Sequence, residues 1–396
     1  MNDDAILRVA HPEDAVRLIR EARATRTVLR PVGGGTRHLS GTPRGRSIQV
    51  LASAGEWLHH PEDLIVTAPA GMTVSELADR LAIEGQALPL DAPEGGTIGG
   101  LVAHGSAGPR LHGRNLPRAW VLGADTVLGS GTAQRIGARV VKNVAGYDAV
   151  RLWCGSRGTL GLLLSVTFKV APSPEAWVEF RQEGKDAAAL AEALQPWWQA
   201  PLTWLRITSA SSTREDALAW QPAEGQPWGT PLSWRLLAGI EGASSVVRAV
   251  SAQWPVSGTA SETAPCRPRN LGPLWADPAP PRVAWSLAVL PSRIVPTLQT
   301  LADWLATKKA HGRRWTFSGD PGRGRLDLAL WGDPDMPVPP IGNWVEAGGG
   351  LWQIVAGPGA GQQGPARSDG GLGLALKRTC DPDDIMNPDA LPGCLA

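Results

Sequence analysis

Residues 30–36 read Arg30-Pro31-Val32-Gly33-Gly34-Gly35-Thr36, and the fold turns on this stretch. Val28 to Pro31 is a short strand signal that runs straight into three glycines. A strand-to-loop turn of this kind can aim successive backbone N–H groups at one point, forming an anion nest of the size of a pyrophosphate. One Gly-rich turn is ordinary in a chain with 47 glycines. Three more follow, however, each beside a strand signal. They are Gly95-Gly96-Thr97-Ile98-Gly99-Gly100 with Gly105-Ser106-Ala107-Gly108-Pro109, then Lys142-Asn143-Val144-Ala145-Gly146-Tyr147-Asp148, then Gly155-Ser156-Arg157-Gly158-Thr159-Leu160-Gly161.

Between these segments, helix and strand signals alternate. Pro12, Glu13 and Asp14 open a helix, since Pro suits the first helical position and the acids suit the positive end of the helix dipole. Leu64 to Thr67 is a strand. Thr73 and Glu76 form a capping box ahead of one apolar helical face, Val74, Leu77, Ala78 and Leu81, and Gly85 supplies the stop. Val121–Leu128 and Leu160–Val170 read as strands. The mixture predicts an α+β domain rather than regular βαβ repeats.

Composition changes near Pro172-Ser173-Pro174. Of 18 Trp residues only Trp57, Trp120 and Trp153 precede that point. With three Phe and one Tyr in the whole chain, Trp must supply nearly all aromatic packing in the later part. Strands are expected at 232–240 and 283–290 and helices at 187–195 and 292–306. A Gly-rich, mobile loop is expected at 357–371, and a last helix near Gly373–Arg378. The expected organisation is a first domain over 1–172, an α+β cap-like or partner-docking domain over 173–345, and a C-terminal segment, 346–396, packing back on the first.

Several function classes fall away. Lys+Arg and Asp+Glu number 38 and 37 with no basic run, which argues against a nucleic-acid footprint. The start, Met1-Asn2-Asp3-Asp4, lacks the apolar stretch of a secretory signal. The run 160–170 is broken by Gly161, Ser165, Thr167 and Lys169, far short of a membrane span. Cys154, Cys266, Cys380 and Cys394 have the spacing of neither a zinc site nor an iron–sulfur cluster, and no metal is expected. Scattered thiols suit a reducing cytoplasm. Neither a Walker A loop, a Rossmann fingerprint, H-E-x-x-H nor G-x-S-x-G is present.

The four glycine segments, in this order and spacing, resemble the FAD-binding domain of the vanillyl-alcohol-oxidase or PCMH-type flavoprotein superfamily. Residues 139–148 with Gly158-Thr159-Leu160-Gly161 are similar to the FAD-binding subunits of the glycolate oxidases. So is the closing run of Leu376-Lys377-Arg378, Asp381-Pro382 and Ile385-Met386-Asn387-Pro388. The motifs cover about residues 28–172 and 376–389, and the stretch between matches only loosely. The resemblance implies a PCMH-type domain of two α/β subdomains, a cap-like domain, and a tail that returns to the flavin. It implies that Gly33, Gly34, Gly35 and Thr36 wrap the FAD pyrophosphate. Thr97, Ile98, Gly99 and Gly100 would line the second side, and Ser106 and Gly108 would lie near the flavin end. Asn143, Gly146, Tyr147 and Asp148 would approach the isoalloxazine, Gly158, Thr159 and Gly161 would meet the adenosine half, and Asn387 would return toward the flavin. Covalent relatives carry a His just after the first glycine pair. Gly35 and Thr36 stand there, with His38 nearby, so non-covalent FAD is expected. The family's Arg-Asp ahead of its Val-Leu-Gly strand is Arg118-Ala119 here.

Oxidising a 2-hydroxy acid needs a cationic clamp for the carboxylate and a general base for the hydroxyl. Hydride acceptance is left to the cofactor. Beyond residue 172 the sequence has one histidine, His311. The family's histidine-rich signature is missing, so the candidate catalytic groups are Tyr147 and His104. The arrangement favoured at this level is a division of labour. A larger sister FAD subunit would oxidise glycolate to glyoxylate, this chain would bind FAD and dock that subunit, and an iron–sulfur subunit would take the electrons. Membrane contact would go through a partner at the inner membrane. The alternatives are a stand-alone oxidase or dehydrogenase of another hydroxy acid or alcohol, and a non-catalytic scaffold.

Overall fold

The computed structural model describes residues 6–36, 45–93, 95–105, 108–139, 149–209, 233–254, 259–261, 282–307, 314–331, 338–356, 363–364 and 372–390. The chain forms two compact units. The first comprises residues 1–107, 115–173 and 367–396, and the second 108–114 and 174–366.

The first unit has two α/β layers. In one, β1 (Leu7–Val9), β2 (Leu29–Val32) and β3 (Arg46–Val50) form a parallel sheet in the order β1-β3-β2. The helix Pro12–Thr25 covers it with Ala15, Leu18, Ile19 and Ala22. Pro12 and the acidic first turn start this helix as expected, and the Asp14 carboxylate accepts the His11 N–H at 3.0 Å. In the other layer, β4 (Leu58–His60), β5 (Ile65–Pro69), β7 (Val121–Leu128), β8 (Ala133–Gly137) and β9 (Gly161–Lys169) form an antiparallel sheet in the order β4-β5-β9-β7-β8. Thr73 Oγ1 accepts the Glu76 N–H at 3.1 Å and caps the helix Val74–Ala82, which buries Leu77 and Leu81. Short β6 (Gln86–Ala87) pairs with β10 (Ala171–Pro172).

The helix Leu372–Cys380 turns into a tail that adds to the first layer. Ile385 and Met386 are buried in the same core as Leu29 and Ile48. Full burial of two such side chains contributes about 3–6 kcal/mol. The tail runs beside β2: Leu29 N donates to Ile385 O at 2.7 Å, and Asn387 N donates to Leu29 O at 2.9 Å. A buried ion pair, Lys377 with Asp381, knots the turn. Asp381 also accepts the N–H of Ile385 (3.2 Å) and of Met386 (2.8 Å), and Lys377 Nζ donates to Met386 O at 2.8 Å.

The second unit is built on an antiparallel sheet. Its strands are β11 (Ala176–Gly184), β12 (Trp204–Ser209), β13 (Trp234–Gly242), β14 (Thr259–Ser261), β15 (Val283–Ala288), β16 (Arg314–Asp320), β17 (Arg325–Trp331), β18 (Leu351–Ala356) and β19 (Gln363–Gly364). Their order is β14-β11-β13-β12-β16-β17-β15-β18-β19. Helices Ala187–Leu194, Ile294–Thr307 and Ile341–Ala347 pack on one face, against Leu205, Ile207, Phe317, Leu326, Leu328 and Leu330. Trp197, Trp234 and Trp285 fill this core, as the shortage of Phe and Tyr demands. The expected elements at 187–195, 232–240, 283–290 and 292–306 are found within a few residues. The strand pair β16–β17 was not foreseen, and of the expected mobile loop at 357–371 only β19 is described.

Candidate functional site

The first, second and fourth glycine segments converge within the first unit. The first leaves β2, and a Cβ added at Gly33 would collide with Thr97 Oγ1, while one at Gly34 would collide with the Gly95 carbonyl. Two of the three glycines are therefore required by loop-on-loop packing. Gly35 differs: nothing lies within 4 Å of an added Cβ, and its φ of 67° is the left-handed region. The fourth segment closes on the same place, because a Cβ on Gly158 would meet Pro31 Cγ at 2.9 Å. Gly161 opens β9 where an added Cβ would strike the Val127 carbonyl.

The tail ties these loops together. Asn387 Nδ2 donates to Arg157 O at 2.7 Å, and Arg157 N donates to Ala103 O at 2.7 Å. Asn387 thus joins β2, the fourth segment and, through Arg157, the helix Ile98–His104 that the second segment begins. His104 ends that helix, and Gly105 stops it with a φ of 67° against Gly155.

The two leading loops differ chemically. In the second, Ile98 N donates to Met72 O, Gly99 N to Ala70 O, and Gly100 N to Thr97 Oγ1. Those donors are spent inside the protein, and the Cβ positions of Gly99 and Gly100 face Ala70 and Thr97. In the first, the N–H groups of Gly33, Gly34, Gly35 and Thr36 donate to no described residue. A run of such donors suits an anion.

Among the described residues, two buried polar atoms of these segments have no partner: Arg30 Nε, at the head of the first, and Ser156 Oγ, on a residue 6% exposed. Its neighbour Thr159 Oγ1 is occupied, donating to Ser156 O at 2.7 Å. Leaving a hydroxyl buried and unpaired costs about 1–3 kcal/mol, which a bound polar ligand would offset. Ser156 stood inside the fourth segment but was not singled out in sequence, because a serine between glycines is as common in turns as in sites.

Other expected residues fall elsewhere. Gly108, expected near the flavin end, lies in the 108–114 segment that belongs to the second unit. Ser106, Asn143, Gly146, Tyr147 and Asp148 lie outside the described residues, as do His38 and His311.

Residues 4–137 match the family model described as FAD binding domain. That stretch is similar to an FAD binding domain. The match ends before the third and fourth glycine segments, so these extend the reading beyond the family model. Glycolate oxidase subunit GlcE of Escherichia coli is 32% identical over 228 residues, 53% of this chain and 65% of that one. Glycolate oxidase subunit GlcD of Bacillus subtilis is 29% identical over 177 residues, 43% of this chain and 38% of that one. The D-2-hydroxyglutarate dehydrogenase of Xanthomonas citri is 31% identical over 169 residues, 41% of this chain and 35% of that one. The chain thus spans just under two thirds of GlcE and a little over a third of the other two. Among solved structures, alkyldihydroxyacetonephosphate synthase superposes with a TM-score of 0.66 over 97% of this chain and 75% of that one. At 18% identity that likeness is one of fold. The PCMH-type FAD-binding fold expected from the glycine segments is the fold observed. Among the described residues, no helix is long and apolar enough to cross a membrane.

The residues present fit FAD. The N–H groups of 33–36, which donate to no described residue, suit a pyrophosphate, and the Ser156 hydroxyl lacks a partner among the described residues.

Proposed function

We propose that this chain is the FAD-bearing subunit of a glycolate-oxidase-type complex that oxidises a small 2-hydroxy acid, glycolate to glyoxylate being the reading favoured. What carries the proposal is the convergence of 33–36, 97–100, 155–161 and Asn387 on one place in a domain of the FAD binding family. Relatives named as glycolate oxidase subunits and hydroxy-acid dehydrogenases support it.

In this reading Gly33, Gly34, Gly35 and Thr36 hold the pyrophosphate through backbone N–H groups. Gly158, Thr159, Gly161 and Ser156 meet the adenosine half, and Asn387 locks the tail over Arg157. Ser106, Asn143, Gly146, Tyr147 and Asp148 complete the flavin side. The cofactor is non-covalent, because no histidine follows the first glycine pair. When bound, FAD accepts the α-hydrogen of the substrate with its electron pair. A larger sister flavoprotein and an iron–sulfur subunit complete the electron path, and membrane contact goes through that assembly.

The visible spectrum of the protein, purified alone and with its partners, tests this directly. Flavin bands that are released on denaturation and bleach with glycolate under anaerobic conditions are the expected result. A colourless protein in both preparations would leave only a scaffold, and bleaching by other hydroxy acids alone would move the substrate.

A further inference from the structure

The turn 155–158 and the end of the tail, both in the first unit, hold each other in uncommon backbone conformations. Arg157 has a φ of 52° and Asn387 one of 45°, left-handed values for residues that carry a Cβ. Gly155 and Gly158, at the two ends of the turn, are left-handed as well, at 89° and 73°. The turn hangs from the last carbonyls of the helix Ile98–His104. Gly155 N donates to Val102 O at 3.0 Å, and Arg157 N donates to Ala103 O at 2.7 Å. The tail grips the same residue from its other side. Asn387 Nδ2 donates to Arg157 O at 2.7 Å, and Arg157 Nη1 donates to Ala390 O at 3.3 Å.

The tail is held unevenly along its length. Up to Met386 it is fixed by burial, Ile385 being 2% and Met386 0% exposed. The Asp381 carboxylate adds to this by accepting the N–H of both residues. From Asn387 onward the described attachments are lighter: one backbone hydrogen bond to Leu29 O and the two side-chain bonds shared with Arg157. The strain of two left-handed residues is of the same order as what two side-chain hydrogen bonds return. The end 387–390 therefore stands close to balance between closed and open, while 381–386 stays in place. An element so balanced is one that a ligand can shift.

Ser156 is where a ligand would act on it. The Ser156 carbonyl accepts from Thr159 N at 3.0 Å and from Thr159 Oγ1 at 2.7 Å, so its backbone is pinned. Its Oγ is buried without a partner among the described residues. Arg157 is the next residue. A polar group bonded to Ser156 Oγ stiffens the turn, and with it the Arg157 carbonyl and guanidinium on which 387–390 closes.

We propose that 387–390 is a latch coupled to cofactor occupancy: engagement of Ser156 by the adenosine half of FAD closes it, and the closed latch slows release of the cofactor. The proposal rests on the FAD reading above and adds to it a retention device outside the loops that hold the cofactor. Such coupling is reciprocal, so FAD protects the latch by as much as the latch protects FAD.

The test uses the full chain, stripped of FAD and reloaded. Hydrogen exchange is resolved to single residues with and without FAD, and FAD release is followed by its fluorescence. The amides of Asn387 and Ala390, bonded to Leu29 O and Asn387 O, report the latch. Those of Ile385 and Met386, bonded to Asp381, report the fixed part. FAD should slow exchange at Asn387 and Ala390 by about 5- to 150-fold and change Ile385 and Met386 by less than about threefold. Asn387→Gly keeps the left-handed backbone but removes the Nδ2 donor. It should speed FAD release about tenfold while leaving association within about threefold of the parent. Ser156→Ala breaks no side-chain hydrogen bond described in the FAD-free protein, so it keeps the test open where the glycine variant folds poorly. At saturating FAD it should lose the protection of Asn387 and Ala390. Equal protection of all four amides is stabilisation of the whole unit, and it overturns the latch. FAD release within about twofold of the parent in Asn387→Gly does the same, and both results leave the FAD reading standing. A chain that takes up no FAD, alone or with its partners, removes that reading and the latch together.

Discussion

Asp381→Asn should loosen the tail that closes the FAD domain, and the size of the effect follows from its three partners. The carboxylate accepts from Lys377 Nζ and from the N–H groups of Ile385 and Met386, and it is 1% exposed. The amide keeps one acceptor, loses the charge, and leaves Lys377, itself 2% exposed, without its closest counter-charge. Breaking a buried pair by neutralising one partner costs about 3–5 kcal/mol. Lys377→Met is expected to cost less, about 1–3 kcal/mol, because Asp381 keeps two backbone donors. The asymmetry is diagnostic, since a simple surface ion pair would give equal and small effects. Native-state hydrogen exchange, read by mass spectrometry on the peptide 372–390, is the assay. A loss of 3–5 kcal/mol appears as exchange about 100- to several-thousand-fold faster, at about 1.4 kcal/mol per decade. FAD affinity should fall in parallel, because Asn387 is placed by the same turn. Exchange less than about fivefold faster in Asp381→Asn, or a larger effect from Lys377→Met, would refute the reasoning.

Gly34→Ala should lower the flavin content of the purified protein and destabilise the first unit by about 1–3 kcal/mol, through collision with the Gly95 carbonyl. Gly35→Ala meets open space and should cost only the left-handed backbone, about 1 kcal/mol, as read by urea denaturation. Ser156→Ala should leave the FAD-free protein as stable or slightly more so, yet weaken FAD about tenfold in a fluorescence titration. Burial pushes the Asp125 carboxyl up, but hydrogen bonds from Arg135 and Ser165 and the charges of Arg135 and Arg139 outweigh it, so the folded value lies below the ordinary one. Its stabilisation is therefore present above the unfolded carboxylate value and lost as pH falls through the lowered one. Asp125→Asn should flatten the acid side of the stability–pH curve below about pH 4. Glu241→Gln should cost about 1–3 kcal/mol in the second unit by leaving part-buried Arg110 without its carboxylate, measured by tryptophan fluorescence during denaturation.

Much of the first unit was legible because its signals are local. A cap at Thr73, Pro and acids at the start of the helix Pro12–Thr25, and glycine at a left-handed position act within a few residues, so the sequence alone announces them. The glycine segments were legible for the same reason, and the cofactor domain followed from the family they resemble. Their division of labour was not legible. Gly33 and Gly34 are small because loop 95–97 presses on them, and the donors of 98–100 are consumed by Met72, Ala70 and Thr97, partners that only the packing of β5 and the helix Ile98–His104 supplies.

The second unit shows the limit more clearly. Its core strands carry apolar residues at alternate positions, but nothing local sets β16 beside β12, since strand order depends on which edges bury the most surface when the sheet assembles. The same applies to His112, which meets Asp320. By sequence it belongs to the glycine-rich third of the chain, 208 residues before Asp320. The turn residues, caps and glycines of this protein were determined by sequence alone, because backbone sterics and hydrogen-bond chemistry act at short range, and the cofactor followed from the family resemblance those segments carry. Which histidine meets which carboxylate, which glycines press on a neighbouring loop, and where the tail lies were decided by tertiary packing, because burial is a property of the whole fold.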